Sequence, residues 1–163
     1  MNSQFTINEG TLRRYGQTLF FFQKHLPIEL SVFDLRVSNP FSDILREKVY
    51  EAFNTYGEDL DIQPEAIREY DNIEYANALE ICEHLINPMA VLSQLPCEKT
   101  VTSIHLSLWF AKAYRSKTDP WDRHFHEFED WQFDWLLEKA GWKVIDSEKR
   151  TSPVGKLGIR PLL

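Results

Sequence analysis

Along this chain the apolar positions shift between a helical and a strand-like period, and the shifts mark out the elements. In TLRRYGQTLFFFQKHL, residues 11–26, Leu12, Tyr15, Leu19 and Phe22 recur at helical spacing, with Thr11 placed to cap. Pro27 breaks that pattern, and SVFDL, Ser31 to Leu35, is an apolar run of strand length, as a buried parallel strand requires. Asn39 followed by Pro40 predicts a helix start, because the Asn side chain accepts an orphan amide hydrogen and Pro suits the first helical position. Phe41, Ile44 and Leu45 then supply its buried face. The same device recurs at Asn87 and Pro88, where NPMAVLSQL opens a helix directly after the apolar stretch IEYANALEICEHL. TVTSIHLSLWF, Thr100 to Phe110, is rich in β-branched and aromatic residues and predicts another strand running into a loop. In HEFEDWQFDWLLEKAGW, Phe128, Trp131 and Trp135 lie on one side, and Phe133, Leu136, Leu137 and Ala140 widen the stripe. This is the last helix, stopped by Gly141, and WKVI, Trp142 to Ile145, predicts a returning strand.

Strands alternating with helices imply a three-layer, doubly wound α/β domain with a mostly parallel sheet and right-handed crossovers. Such sheets bind ligands beyond the carboxyl ends of their strands. At 163 residues, with 43% hydrophobic and 26% charged positions, the chain reads as one globular domain able to bury a core: a lead-in helix in 1–27, the core in 28–150 and a tail in 151–163. A formal net charge of −7 offers no basic surface to a phosphate backbone, so a small-molecule or protein partner is expected rather than a nucleic acid. Cys82 and Cys97 form neither a Cys-x-x-Cys pair nor a disulfide framework, which suits a reducing, cytoplasmic setting. No segment approaches the roughly 20 apolar residues that span a bilayer, and LFFF at Leu19 to Phe22 is too short and too late for a signal peptide.

The candidate chemistry gathers around VFDLRVSNPF, Val32 to Phe41, where Asp34 ends a strand at the ligand end of the sheet and the next loop leads to a helix N-terminus. Phosphate-binding and nucleotide-binding turns use glycines there, and this chain has Arg36 and Ser38. Downstream, IEYANALEICEHLINP presents Glu80, Glu83, His84, Leu85, Asn87 and Pro88, and HFHEFEDWQFDWLLEKAGWKV follows in order. These segments resemble the carboxyl half of class I S-adenosylmethionine-dependent methyltransferases, in which the fourth strand ends in a glutamate followed by an apolar pair, Glu-His-Leu and a helix opening at Asn-Pro or Asp-Pro. The resemblance spans roughly residues 28–150 and sets VFDLRVSNPF where that family has its Asp-x-Gly-x-Gly cofactor loop.

The resemblance implies a Rossmann-like methyltransferase fold, reduced in strand number because Thr55 to Ile73 is too short for a helix, a third strand and another helix. It implies S-adenosylmethionine as cofactor, lined by Asp34, Arg36, Ser38, Asn54, Asp59, Asp61, Leu79 and Glu80. Asn54 stands where the family carries the acidic residue that binds the ribose hydroxyls, with Asp59 or Asp61 as substitutes. Arg36, at the first glycine position, either blocks the pocket or reaches out to pair with a carboxylate. The substrate side would comprise His84, as general base or as a packing and capping residue, together with His124, His126 and Trp109, Tyr114 and Trp121, whose aromatic loop reads equally as a satellite hydrophobic cluster. The family usually goes on to a final antiparallel strand; an edge left open without it can be covered by a second copy of the chain.

Two other readings share these residues. One keeps the fold as a non-catalytic binding module, favoured by Arg36 and the shortened sheet. The other is a metal-dependent hydrolase using Asp122, His124, His126, Glu127 and Glu129, but the segment lacks the cysteines and the His-Glu-x-x-His helix of zinc sites, so no metal is expected there.

Overall fold

The computed structural model describes residues 9–48, 50–107, 114 and 116–150. Its elements are α1 (Glu9–His25), β1 (Ser31–Asp34), α2 (Pro40–Glu47), β2 (Glu51–Asn54), a 3-10 helix (Pro64–Glu69), β3 (Tyr75–Leu79), α3 (Pro88–Leu92), β4 (Lys99–Ser103) and α4 (Asp130–Lys139). The four strands form one sheet in the order β2-β1-β3-β4, and every pairing is parallel. Val32 sits beside both Ala52 and Tyr75, and Asp34 beside both Asn54 and Asn77, which fixes the register across the centre.

Burial follows position in the sheet. All four residues of β1 are buried, as are Ala76 to Leu79 of β3, whereas β2 alternates between exposed and half-buried residues. Central parallel strands are covered on both faces and read as continuous apolar runs; an edge strand does not. The helices divide accordingly. Val32, Phe41, Leu45, Leu79 and Val101 pack with Phe22 and Leu26 from α1 and its end. On the other face Phe33, Ala76 and Ala78 pack with Ile67 of the 3-10 helix, Val91 and Leu92 of α3, and Phe133 and Leu137 of α4. The chain winds from β1 to β2 under α2, then reverses and passes behind β1 to β3 and on to β4, so crossovers of one hand must switch faces at the reversal. This three-layer, doubly wound arrangement is the expected fold class, and a 3-10 helix alone bridges β2 and β3, as the short segment between them required.

The starts of α2 and α3 obey their sequence signals, whereas α1 runs from Glu9, so Thr11 lies inside the helix and not at its cap position. Asn39 Oδ1 accepts the N–H groups of Phe41 (3.0 Å) and Ser42 (3.2 Å), while Ser42 Oγ accepts the N–H of Asn39 at 3.1 Å, closing a capping box around Pro40. Asn87 Oδ1 likewise accepts the N–H of Ala90 at 3.2 Å. Three expectations are corrected. WKVI forms no strand: Trp142 is tied to α3 by its indole N–H, 2.9 Å from the Leu92 carbonyl, while Val144 and Ile145 are exposed with no ladder to join. The last helix buries Phe133 and Leu137, and Trp131 and Trp135 turn outward to pack edge-on against each other at 4.8 Å. The strand expected from Thr100 to Phe110 ends at Ser103, and 108–110 lie outside the described residues.

No described helix is long and apolar enough to cross a membrane. Phe41 is fully buried between α1 and the sheet, with its ring 5.4 Å from Tyr15 and 5.8 Å from Phe22. Phe41→Ala is therefore expected to cost about 3–5 kcal/mol in urea unfolding. Ile62→Ala, at a side chain 73% exposed, is expected to change stability by no more than about 0.5 kcal/mol.

Candidate functional site

The winding reverses between β1 and β3, so the loops leaving their carboxyl ends part and open a crevice. Asp34 closes β1 there with no exposed surface. Its Oδ2 accepts the Asn39 side-chain amide at 2.9 Å, its Oδ1 accepts the Arg36 backbone N–H at 3.1 Å, and Arg36 Nε lies 3.6 Å away. Burial raises the carboxyl's pKa above the ordinary value, against the opposing pull of Arg36 and Asn39. Arg36 also donates to Asn39 Oδ1 at 3.2 Å, so its side chain folds back over the turn and lines the crevice instead of pointing out.

The crevice is roofed by α1. Arg14, Tyr15 and Thr18 face Arg36, Leu79, Glu80 and Ser103 across a cavity of about 20 Å³, room for a water molecule and little more. Arg14 pairs with Glu80 at 2.8 Å. Glu80 holds a left-handed backbone with φ 52°, a conformation that costs a non-glycine residue about 1–2 kcal/mol. Its N–H meets the Ser103 carbonyl at 2.8 Å, fixing the turn that aims the carboxylate at α1. A larger cavity of about 350 Å³ lies against α4, lined by Trp135, Glu138, Trp142 and Lys143, with none of the strand-end residues in its wall.

The remaining expected cofactor residues are scattered around this crevice. Asn54 is already engaged, accepting from Arg46 at 2.6 Å and donating to the Arg36 carbonyl at 3.0 Å, which hooks β2 to the β1 turn. Asp59 accepts the N–H of Asp61, and Asp61 Oδ1 accepts the N–H groups of Ile86 (2.8 Å) and Asn87 (3.2 Å), so the pair braces the loop before α3 and lines none of the cavity. Ser38 is exposed at the tip of the β1 turn.

Beside the crevice, past the ends of β3 and β4, imidazoles collect. His84 and His124 meet edge-on at 4.6 Å, and His105 and Tyr114 lie 5.5 Å and 4.7 Å from His124. His84 Nδ1 lies 3.2 Å from the Arg123 carbonyl, which can only accept, so Nδ1 is the donor there and, in the neutral ring, Nε2 carries the lone pair. Tyr114 donates its hydroxyl hydrogen to Asp122. Trp121 stands away at 79% exposed, His126 turns to the Ile86 carbonyl at 3.1 Å and stacks on Phe128, and Trp109 lies outside the described residues.

Beneath these rings lies Glu83, wholly buried. Burial raises its pKa, but the hydrogen bond from His105 and the neighbouring backbone amides outweigh it and hold the carboxyl below its usual value. His105 is raised in turn, first by its hydrogen bond to Glu83 and also by the charges of Glu80 and Glu83. His124 is lowered by burial and by the adjoining His84 and His105.

No family model matches the chain. No curated protein and no solved structure matches it either. What is established is the generic architecture, a small α/β domain with a parallel sheet, and the geometry of its strand ends.

Reading the sequence for sites missed Arg14, on the lead-in helix, and His105, in a run taken as strand. Glu83 was visible only as part of a pattern. The usable signal was positional: His105 lies two residues past the end of β4, as Arg36 lies two past the end of β1.

Two measurements check this description. Asn39→Ala removes the α2 cap, worth about 1–2 kcal/mol, and leaves Asp34 Oδ2 without its donor, about 1–3 kcal/mol more, so urea unfolding is expected to show a loss of about 2–5 kcal/mol. Asn39→Asp keeps the cap but sets two carboxylates together, so its deficit should shrink as pH falls and one of them protonates. Burial pushes the Cys82 thiol up to about 12 and the Cys97 thiol to about 11. Both are expected to resist iodoacetamide at pH 8 in the folded protein and to react after unfolding.

Proposed function

We propose that the crevice between the ends of β1 and β3 takes S-adenosylmethionine, and that the protein transfers its methyl group to an oxygen or nitrogen nucleophile of a small, non-nucleic-acid acceptor. The observation that carries this is the reversal of a parallel sheet directly under a crevice lined by Arg14, Arg36 and Glu80. The methionine end of that cofactor carries a carboxylate and an ammonium group. The Arg14–Glu80 pair is the complement of that zwitterion: on binding, guanidinium groups take the carboxylate in a two-pronged contact and Glu80 takes the ammonium.

At about 20 Å³ the cavity is closed to a nucleoside, so binding requires α1 to lift its amino-terminal half. That half is held loosely. Phe22, near the carboxyl end, is the only fully buried residue of α1, and Leu12 is 52% exposed. Bound there, the cofactor supplies an electrophilic methyl; the protein's part is to align the acceptor for in-line attack and to receive its proton. His84 fits the second task, since its lone pair is on Nε2 and its Nδ1 proton is anchored on Arg123.

A second reading follows from the same cavity. With Arg36 folded into the turn and the roof closed, the domain is a non-catalytic interaction module that has kept the fold and lost the ligand.

Calorimetric titration with S-adenosylmethionine and with S-adenosylhomocysteine separates the two. The first reading expects saturable binding of both, weakened at least tenfold by Glu80→Gln and abolished by Arg36→Glu. Silence at millimolar ligand would sink it and leave the interaction module.

A further inference from the structure

Glu83 is a fully buried carboxylate. Its Oε1 accepts the His105 backbone N–H at 3.1 Å and lies 3.0 Å from His105 Nδ1. Its Oε2 is equally buried and has no hydrogen-bond partner among the described residues. An orphaned carboxylate oxygen in the interior is costly, and native structures keep one where a cation or another unrecorded partner completes it. The Glu83–His105 hydrogen bond accounts for one oxygen as an ordinary buried pair. It leaves Oε2 and the adjacent His124 without an explanation.

We propose that Glu83, His105 and His124 form the binding site of one divalent transition-metal ion. One ligand atom from each lies within 4.8 Å of the other two. Around an ion bonded at about 2.0–2.2 Å, ligand atoms stand roughly 3–4 Å apart, so small side-chain rotations close the set. Two imidazoles and a carboxylate suit ions such as zinc or iron(II) and leave coordination positions open. Glu80, with a carboxylate oxygen 3.7 Å from His105 Nε2, adds a second negative group at the rim.

The three ligands come from three loops, and the backbone locks those loops together. The Glu83 carbonyl accepts the N–H groups of Phe125 (2.8 Å) and His126 (3.2 Å), which pins the His124 segment to the loop after β3. The Ser107 N–H meets the Phe128 carbonyl at 2.7 Å, which ties the His105 segment to the same strip. Such outer contacts are what hold metal ligands in position. The histidine-rich run Asp122 to Glu129 thus contributes one ligand, not a site of its own; its partners come from elsewhere in the chain.

The test uses the full chain, stripped with a chelator and free of any methyl donor, so its outcome is separate from the cofactor titration. Titration with zinc ion alone is expected to give one site per chain, and cobalt(II) at the same stoichiometry to give visible absorption bands. His124→Ala and His105→Ala should each weaken zinc binding by at least the 10–100-fold that loss of an outer-shell partner costs. His126→Ala, whose ring faces the Ile86 carbonyl, should leave it unchanged. Glu83→Gln is read only alongside its circular dichroism spectrum, since the buried side chain also serves the fold. His105→Ala, at a ring 54% exposed, keeps the test decisive if Glu83→Gln unfolds. Absence of stoichiometric zinc binding, or binding undiminished in both His105→Ala and His124→Ala, overturns the proposal.

Discussion

The domain is organised around a single buried carboxylate. Asp34 has no contact with solvent, and every group that satisfies it belongs to the turn it introduces: the Arg36 backbone, the Arg36 guanidinium and the Asn39 amide. Asn39 is at the same time the cap of α2, and Asn54 at the end of β2 holds the carbonyl of Arg36. Strand end, turn, helix start and neighbouring strand are therefore one hydrogen-bonded unit. Removing solvent from a carboxylate is unfavourable, so the turn can adopt only conformations that return those donors. The shape of the strand ends follows from that requirement.

The winding reversal does the rest. Because β2 lies on one side of β1 and β3 on the other, α2 joins α1 on one face while the 3-10 helix, α3 and α4 cover the opposite face. The two chemical regions inherit this division. The arginine-lined crevice opens under α1 and is shut by an ion pair, whereas the imidazole cluster lies past the ends of β3 and β4, beside the segment leading into α4. Glu80 touches both, pairing with Arg14 and standing near His105, from a backbone conformation that few side chains accept. Glu80 thus stands against both regions from one side chain.

Much of the fold was legible because its signals are local. Asn39-Pro40 and Asn87-Pro88 marked true helix starts, and the apolar runs at residues 31–35 and 73–85 contain the two central strands, β1 and β3. WKVI failed because β-propensity describes a pleated surface, and none was within reach. Trp131 and Trp135 failed because a stripe broad enough to bury on either side does not say which side meets the sheet. The site was less legible for the same reason. Arg36 was identified by position, but its direction depended on Asp34 and Asn39; Arg14 and His105 gained meaning only from Glu80 and Glu83, which the fold brings to them.

The hydrogen bonds that join the loop after β3 to the segment before α4 have a kinetic meaning as well. His84 and Arg123 are 39 residues apart in sequence, and Ile86 and His126 are 40 apart. Contacts that distant carry a loop-closure cost that local contacts do not, because the intervening chain must be confined for them to form. The imidazole cluster assembles only when the loop between His84 and Arg123, 39 residues apart, has closed.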